Sequence, residues 1–153
     1  ALKAARDPHI FLGINQMGQV SIFQTKGNPY AHVILRGGSG QPNYDAQSVA
    51  EVEAQLKAAN LPSQIVIDCS HGNSNKDHRL QADVFRNVVG QILDENSSIV
   101  GMMLDSNLSE GNQSIPSDLE KLKYGVSVTD KCLGWEETEA ILLEAHERLS
   151  SQY

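Results

Sequence analysis

Four side chains in the sequence have the types that divalent-metal and anion chemistry use: Arg36, His71, Asp105 and Asp130. Three of them close a short apolar run. Arg36 follows His32 to Leu35, His71 follows Ile65 to Asp68, and Asp105 follows Ser98 to Leu104. One imidazole and two carboxylates suffice for a divalent metal with open positions, and a guanidinium beside them would hold a phosphate or carboxylate in its fork. No two of these residues stand at a short diagnostic spacing such as His-Glu-x-x-His. On the residues alone, a strand-end His71 satisfied by a neighbouring carbonyl remains the plain alternative.

The elements that would carry these groups alternate. The runs His9 to Asn15 and Gln19 to Thr25 flank Gln16-Met17-Gly18 and predict a hairpin. Asp45 to Ala59 spaces Val49, Val52, Leu56 and Ala59 as an amphipathic helix, stopped by Asn60-Leu61-Pro62. Leu80, Val84, Val88 and Ile92 mark a second helix, and Ile141, Leu142, Ala145 and Leu149 a third beginning at Trp135. Strand, polar loop and helix thus recur three times, at Arg36, His71 and Asp105. The strands are short and uniformly apolar, which predicts a parallel sheet covered by helices with its polar loops on one edge. Pattern alone fits an open α/β sheet as well as part of a barrel.

Composition narrows the class. The 153 residues suffice for one domain with a core. A net charge of -7 without a Lys/Arg-rich block argues against nucleic acid, and no apolar stretch is long enough to span a bilayer. A cytoplasmic protein with reduced thiols is expected, because Cys69 and Cys132 do not form a secreted disulfide framework. Ala1 to Arg6 reads as the tail of a helix already under way, stopped at Asp7-Pro8, as in a fragment.

Plainer roles suit several other residues. Cys69 and Cys132 are expected in the core, and His9, His32, His78 and His146 as hydrogen-bonded or surface residues. Asn73 and Ser74 are expected to cap the following helix, with holding of the loop as the alternative.

Four longer stretches resemble a known family. His32-Val-Ile-Leu-Arg-Gly-Gly38, Asp68-Cys-Ser-His-Gly-Asn-Ser-Asn75, Glu110-Gly-Asn-Gln-Ser114 and Tyr124-Gly-Val-Ser-Val-Thr-Asp130 with Gly134-Trp135-Glu136 resemble, in order, the C-terminal part of type I 3-deoxy-D-arabino-heptulosonate 7-phosphate (DAHP) synthase, in its tyrosine-sensitive branch. The resemblance implies the last three βα units of a (β/α)8 TIM barrel plus an inserted hairpin at 9–25. Residues 1–153 would then form a partial barrel domain without its N-terminal half. It implies metal-dependent condensation of phosphoenolpyruvate with erythrose 4-phosphate, the first shikimate-pathway step, in an enzyme expected to be a homo-oligomer. By matched motif, His71 and Asp130 would be catalytic metal ligands with Asp105 as a third, and Arg36 would bind the phosphate of phosphoenolpyruvate. Phe11 and Gly13 would contribute to the site of an aromatic amino acid effector, and a residue without a side chain at 13 leaves room for the hydroxyl of tyrosine.

Two departures qualify it. The family usually has Glu at the position of Asp105, which makes Glu110 a possible substitute ligand. The family's fourth ligand, a Cys in a Cys-Gly-Pro-Cys-like motif, and a basic Lys-Pro-Arg-Thr-like segment are absent. A non-catalytic piece with a structural or regulatory role is therefore the alternative, and a generic metal hydrolase a more distant one.

Overall fold

Two successive βαβ crossovers organise residues 1–152, which the computed structural model describes. After a short helix α1 (Leu2–Arg6) come the hairpin strands β1 (Ile10–Ile14) and β2 (Val20–Gln24). Then β3 (Val33–Leu35), α2 (Ala46–Ala58), β4 (Ile65–Asp68), α3 (Gln81–Leu93), β5 (Ile99–Met103) and α4 (Trp135–Ser150) follow as three βα units. None of the described helices is long and apolar enough to cross a membrane.

Local chemistry sets the boundaries. Asp45 caps α2 by accepting from Ser48 N at 3.0 Å, and the bonds from Ser48 hold its carboxyl below the ordinary value. Glu136 and Glu137 occupy the first turn of α4, where acids complement the helix dipole.

Strands β3, β4 and β5 form a parallel sheet in that order. Leu35, Ile67 and Met102 share one face by register and pack with the helices, whose Val49, Leu56, Val88, Val89 and Ile141 complete the core. The opposite face differs from the sequence expectation of a sheet covered on both sides. Ile34, Val66 and Gly101 lie there in register, with Ile34 exposed. Helices α2, α3 and α4 cover the Leu35–Ile67 side, so apolar strands alone do not imply a second layer.

Two helix faces also differ in detail. Leu80 is exposed in a 3₁₀ turn (His78–Leu80) ahead of α3, whereas Gln81 and Phe85 are buried. Val84 and Val88 of the expected stripe are buried and Ile92 packs on the core, so only Leu80, ahead of the α-helix, leaves that face. On α4, Leu142 is exposed while Thr138 is buried with Ile141 and Ala145.

Candidate metal centre

Strand β4 delivers its chemistry through a tight turn. Asp68, at 2 % exposure, accepts at Oδ1 from Ser70 N (2.9 Å) and Ser70 Oγ (2.6 Å). Its Oδ2 lies 2.8 Å from His71 Nδ1. His71 adopts a left-handed backbone, φ 52°, and its Nε2 stands 3.5 Å from Asp130 Oδ2. His71, Asp105 and Asp130 each offer a donor atom within 4.8 Å of the others. An imidazole and two carboxylates so close would repel through their lone pairs unless a proton or cation lay among them. The donor set suits a divalent ion that takes nitrogen and oxygen ligands.

Asp105 is set by its backbone. The Gln81 amide, fully buried at the start of α3, accepts from Asp105 N at 2.8 Å and donates to Asp105 O at 3.2 Å. The long segment after β5 returns beside it: Leu133 N donates to Asp105 O at 2.8 Å, and Gly111 N to Cys132 O at 2.9 Å. That return brings exposed Asp130 to His71 although no regular element joins them.

Arg36 ends β3 on the same edge. Gly72 N donates to Arg36 O at 3.0 Å, and the two loops touch through glycines. A Cβ on Gly37, which has φ +76°, would lie 2.6 Å from the Gly72 carbonyl carbon. The Arg36 side chain is exposed and in no ion pair among the described residues, and it does not line the cavity that holds the triad. Asn73 joins the two strand ends. Its amide donates to Leu35 O (3.0 Å) and Asp68 O (2.8 Å), and its oxygen accepts from Asn43 N (2.8 Å). Asn73 and Ser74 therefore do not cap α3, which begins seven residues after Ser74 at Gln81 without a side-chain cap. A buried bridge between strand ends uses three of the amide's bonds, which a cap would not.

His78 departs from the role of a hydrogen-bonded residue. It lines the cavity with His71, Asp105 and Asp130, and neither ring nitrogen is hydrogen-bonded. Glu110, largely exposed, stands 3.6 Å from its Nε2 and outside the triad. Cys69 is buried, and burial with the Asp68 carboxylate nearby pushes its thiol up to about 12, so it is a neutral core group. Cys132 is buried as well, and burial raises its thiol.

Phe11 and Gly13 lie on β1, away from the cavity lining. The Phe11 ring stacks on Phe23 with centroids 5.7 Å apart, and Gly13 pairs with Ser21. Sequence reasoning missed Asp68, Gln81 and His78. Only Asp68 left a signal, its i,i+3 spacing to His71 across a Ser.

The profile described as DAHP synthetase I family matches residues 1–143. The chain belongs to that family. Within it, the chain is 54 % identical over 152 residues to the tyrosine-sensitive phospho-2-dehydro-3-deoxyheptonate aldolase of Salmonella typhimurium, covering 99 % of this chain and 42 % of that protein. It is 49 % identical over 142 residues to the phenylalanine-sensitive aldolase of Escherichia coli, covering 93 % and 40 %. Among solved structures, the aldolase from Francisella tularensis SCHU S4 superposes with a TM-score of 0.88 at 44 % identity, over 99 % of this chain and 44 % of that one. The chain thus spans about 42 % of the length of the Salmonella relative, and these comparisons fit the family resemblance carried by the Arg36, His71 and Asp130 motifs.

Proposed function

We propose that the whole protein is a DAHP synthase, joining phosphoenolpyruvate to erythrose 4-phosphate with release of phosphate at the start of aromatic amino acid biosynthesis. The observation that carries this reading is the convergence of His71, Asp105 and Asp130 at the strand ends of a DAHP synthetase I family chain. His71, through Nε2, and the carboxylates of Asp105 and Asp130 would hold a divalent ion. Such an ion supplies Lewis acidity at the aldehyde oxygen, making the aldehyde carbon more electrophilic toward the enol carbon of phosphoenolpyruvate.

The residues of this chain do the positioning. Arg36, exposed and unpaired among the described residues, offers a fork to the phosphate of phosphoenolpyruvate. Its backbone contact with Gly72 ties that anchor to the turn carrying His71. Water takes the place of the departing phosphate to complete the ketone.

The three βα units are read as consecutive parts of a (β/α)8 barrel, with residues 1–153 as one partial domain. The superposition on the Francisella aldolase supports this, and the open Ile34–Gly101 face is the side a barrel would enclose. Hairpin 9–25 is read as a regulatory element with Phe11 and Gly13 in an aromatic amino acid site. Tyrosine is the proposed effector, in keeping with the name of the Salmonella relative. Ile10, Leu12, Ile14, Val20 and Ile22, all at least 70 % exposed, favour self-association. Phosphorylated substrates and the described helices favour a cytoplasmic setting.

The test is phosphate release by the intact protein from both substrates after treatment with a chelator. Activity should vanish on chelation, return with Mn²⁺ or Co²⁺, and match DAHP formed one for one. Release that never depends on a divalent ion would sink the assignment.

A further inference from the structure

We propose that Asp68 is a positioning residue of the metal centre, fixing His71 so that Nε2 alone meets the ion. The inference rests on the metal-dependent reading above. Asp68 is buried, lies on the same sheet face as Val66 by strand alternation, and closes that face at its polar end. Its two oxygens have separate tasks. Oδ1 is held by the Ser70 amide and hydroxyl, so the carboxylate cannot swing, and Oδ2 meets His71 Nδ1 at 2.8 Å.

Hydrogen-bond accounting fixes the ring. The Ser70 hydroxyl has one proton, and it is used in donating to Asp68 Oδ1 at 2.6 Å. The Ser70 oxygen, 2.7 Å from His71 Nδ1, is then an acceptor toward the ring, as is Asp68 Oδ2. Two acceptors around Nδ1 require the proton there. In the neutral ring, the form that can bind a metal ion, the lone pair is then on Nε2, which stands 3.5 Å from Asp130 Oδ2. A ring nitrogen donating to a carboxylate is the usual outer support of a metal-bound histidine, orienting the ring and raising its basicity. The left-handed backbone of His71, φ 52°, is a conformation that the surrounding bonds must hold in place.

The test uses the intact protein, stripped of metal and titrated with Zn²⁺, in four forms: wild type, His71→Ala, Asp68→Asn and Ser70→Ala. Asp68→Asn keeps the shape but removes the charge, and should weaken Zn²⁺ affinity about 10- to 100-fold, with Ser70→Ala weakening it less. Folding is checked by thermal unfolding of the metal-free forms. A purely architectural Asp68 would lower the melting temperature and leave the affinity of the folded variant unchanged, which would overturn the inference. Should Asp68→Asn not fold, ¹⁵N spectra of the wild-type Zn²⁺ protein decide: a retained Nδ1–H with Nε2 ligated supports it, and ligation through Nδ1 overturns it. If wild type and His71→Ala bind Zn²⁺ alike, the metal reading itself falls and takes this inference with it. If those two differ while Asp68→Asn matches wild type, only the role of Asp68 falls.

Discussion

Around the strand ends of β3, β4 and β5 the polar side chains that support the triad are buried and hydrogen-bonded, whereas the hairpin of β1 and β2 turns an apolar face outward. Asp68, Ser70, Asn73, Ser74 and Gln81 are all at most 3 % exposed. Leu12, Ile14 and Val20 are each more than 70 % exposed. A buried, fully bonded polar network permits one arrangement, because any displacement leaves a donor or acceptor without water. The hairpin is held chiefly by its own ladder and the Phe11–Phe23 stack, so it can change its contacts without disturbing the sheet. A centre that must present three donors within 4.8 Å needs the first kind of construction. A surface that answers to an effector or a second subunit suits the second.

A pair of glycines gives the hardest test of that contrast. Gly37 and Gly18 have nearly the same backbone, φ +76° and +75°, yet a Cβ on Gly37 would strike the Gly72 backbone at 2.6 Å while one on Gly18 would meet nothing within 4 Å. Gly18→Ala should cost about 1 kcal/mol, from the left-handed conformation alone. Gly37→Ala should exceed about 3 kcal/mol, because overlap with rigid backbone adds to the same strain. Denaturant unfolding of both variants measures the gap, and equal losses would erase the distinction between the rim and the hairpin turn.

Within the rim, the two acids after β5 should separate next. Asp105 has its backbone clamped by Gln81 and belongs to the triad, while the Glu110 carboxylate is 73 % exposed and meets only His78. Loss of an outer partner typically weakens metal binding about 10- to 100-fold, so removing a ligand should cost more. Asp105→Ala is therefore expected to lower Co²⁺ affinity by at least about 100-fold, and Glu110→Ala to change it little. Calorimetric titration would reverse the assignment if Glu110→Ala proved the more damaging.

What the sequence made legible follows the same division. Helix α2 could be read because Asp45 is a cap and Val49, Val52 and Leu56 repeat at helical spacing, and β4 because Ile65-Val66-Ile67 ends in polar residues. Types and strand-end positions also brought His71 and Asp105 together as candidates. Gln81 was not legible, because periodicity counts apolar residues, and a fully buried amide clamping the Asp105 backbone reads as solvent-facing. Asn73 reads as a cap because caps are local, whereas its partners Leu35 and Asn43 are 38 and 30 positions away. The approach of Asp130 to His71 depends on backbone pairing inside the 105–134 segment, such as Gly111 with Cys132, which has no period to detect.

The smallest expected effect lies in the hairpin and concerns regulation. Gly13 sits beside Phe11 on β1, and a Cβ built there would come 2.9 Å from the Phe23 ring. The ring is the movable partner, so Gly13→Ser should displace Phe23, loosen its stack on Phe11, and narrow the space that would admit a phenol hydroxyl. The tyrosine concentration for half-inhibition of the intact enzyme should rise about tenfold, equivalent to about 1.4 kcal/mol of effector binding. Metal content should stay the same, because neither Gly13 nor Phe23 lines the cavity of His71, Asp105 and Asp130. Inhibition curves with tyrosine and with phenylalanine, run on wild type and variant, separate the possibilities. A wild type that responds to phenylalanine and ignores tyrosine would break the effector reading. A variant that loses metal along with its tyrosine response would show that hairpin and rim are mechanically one, against the contrast in their burial.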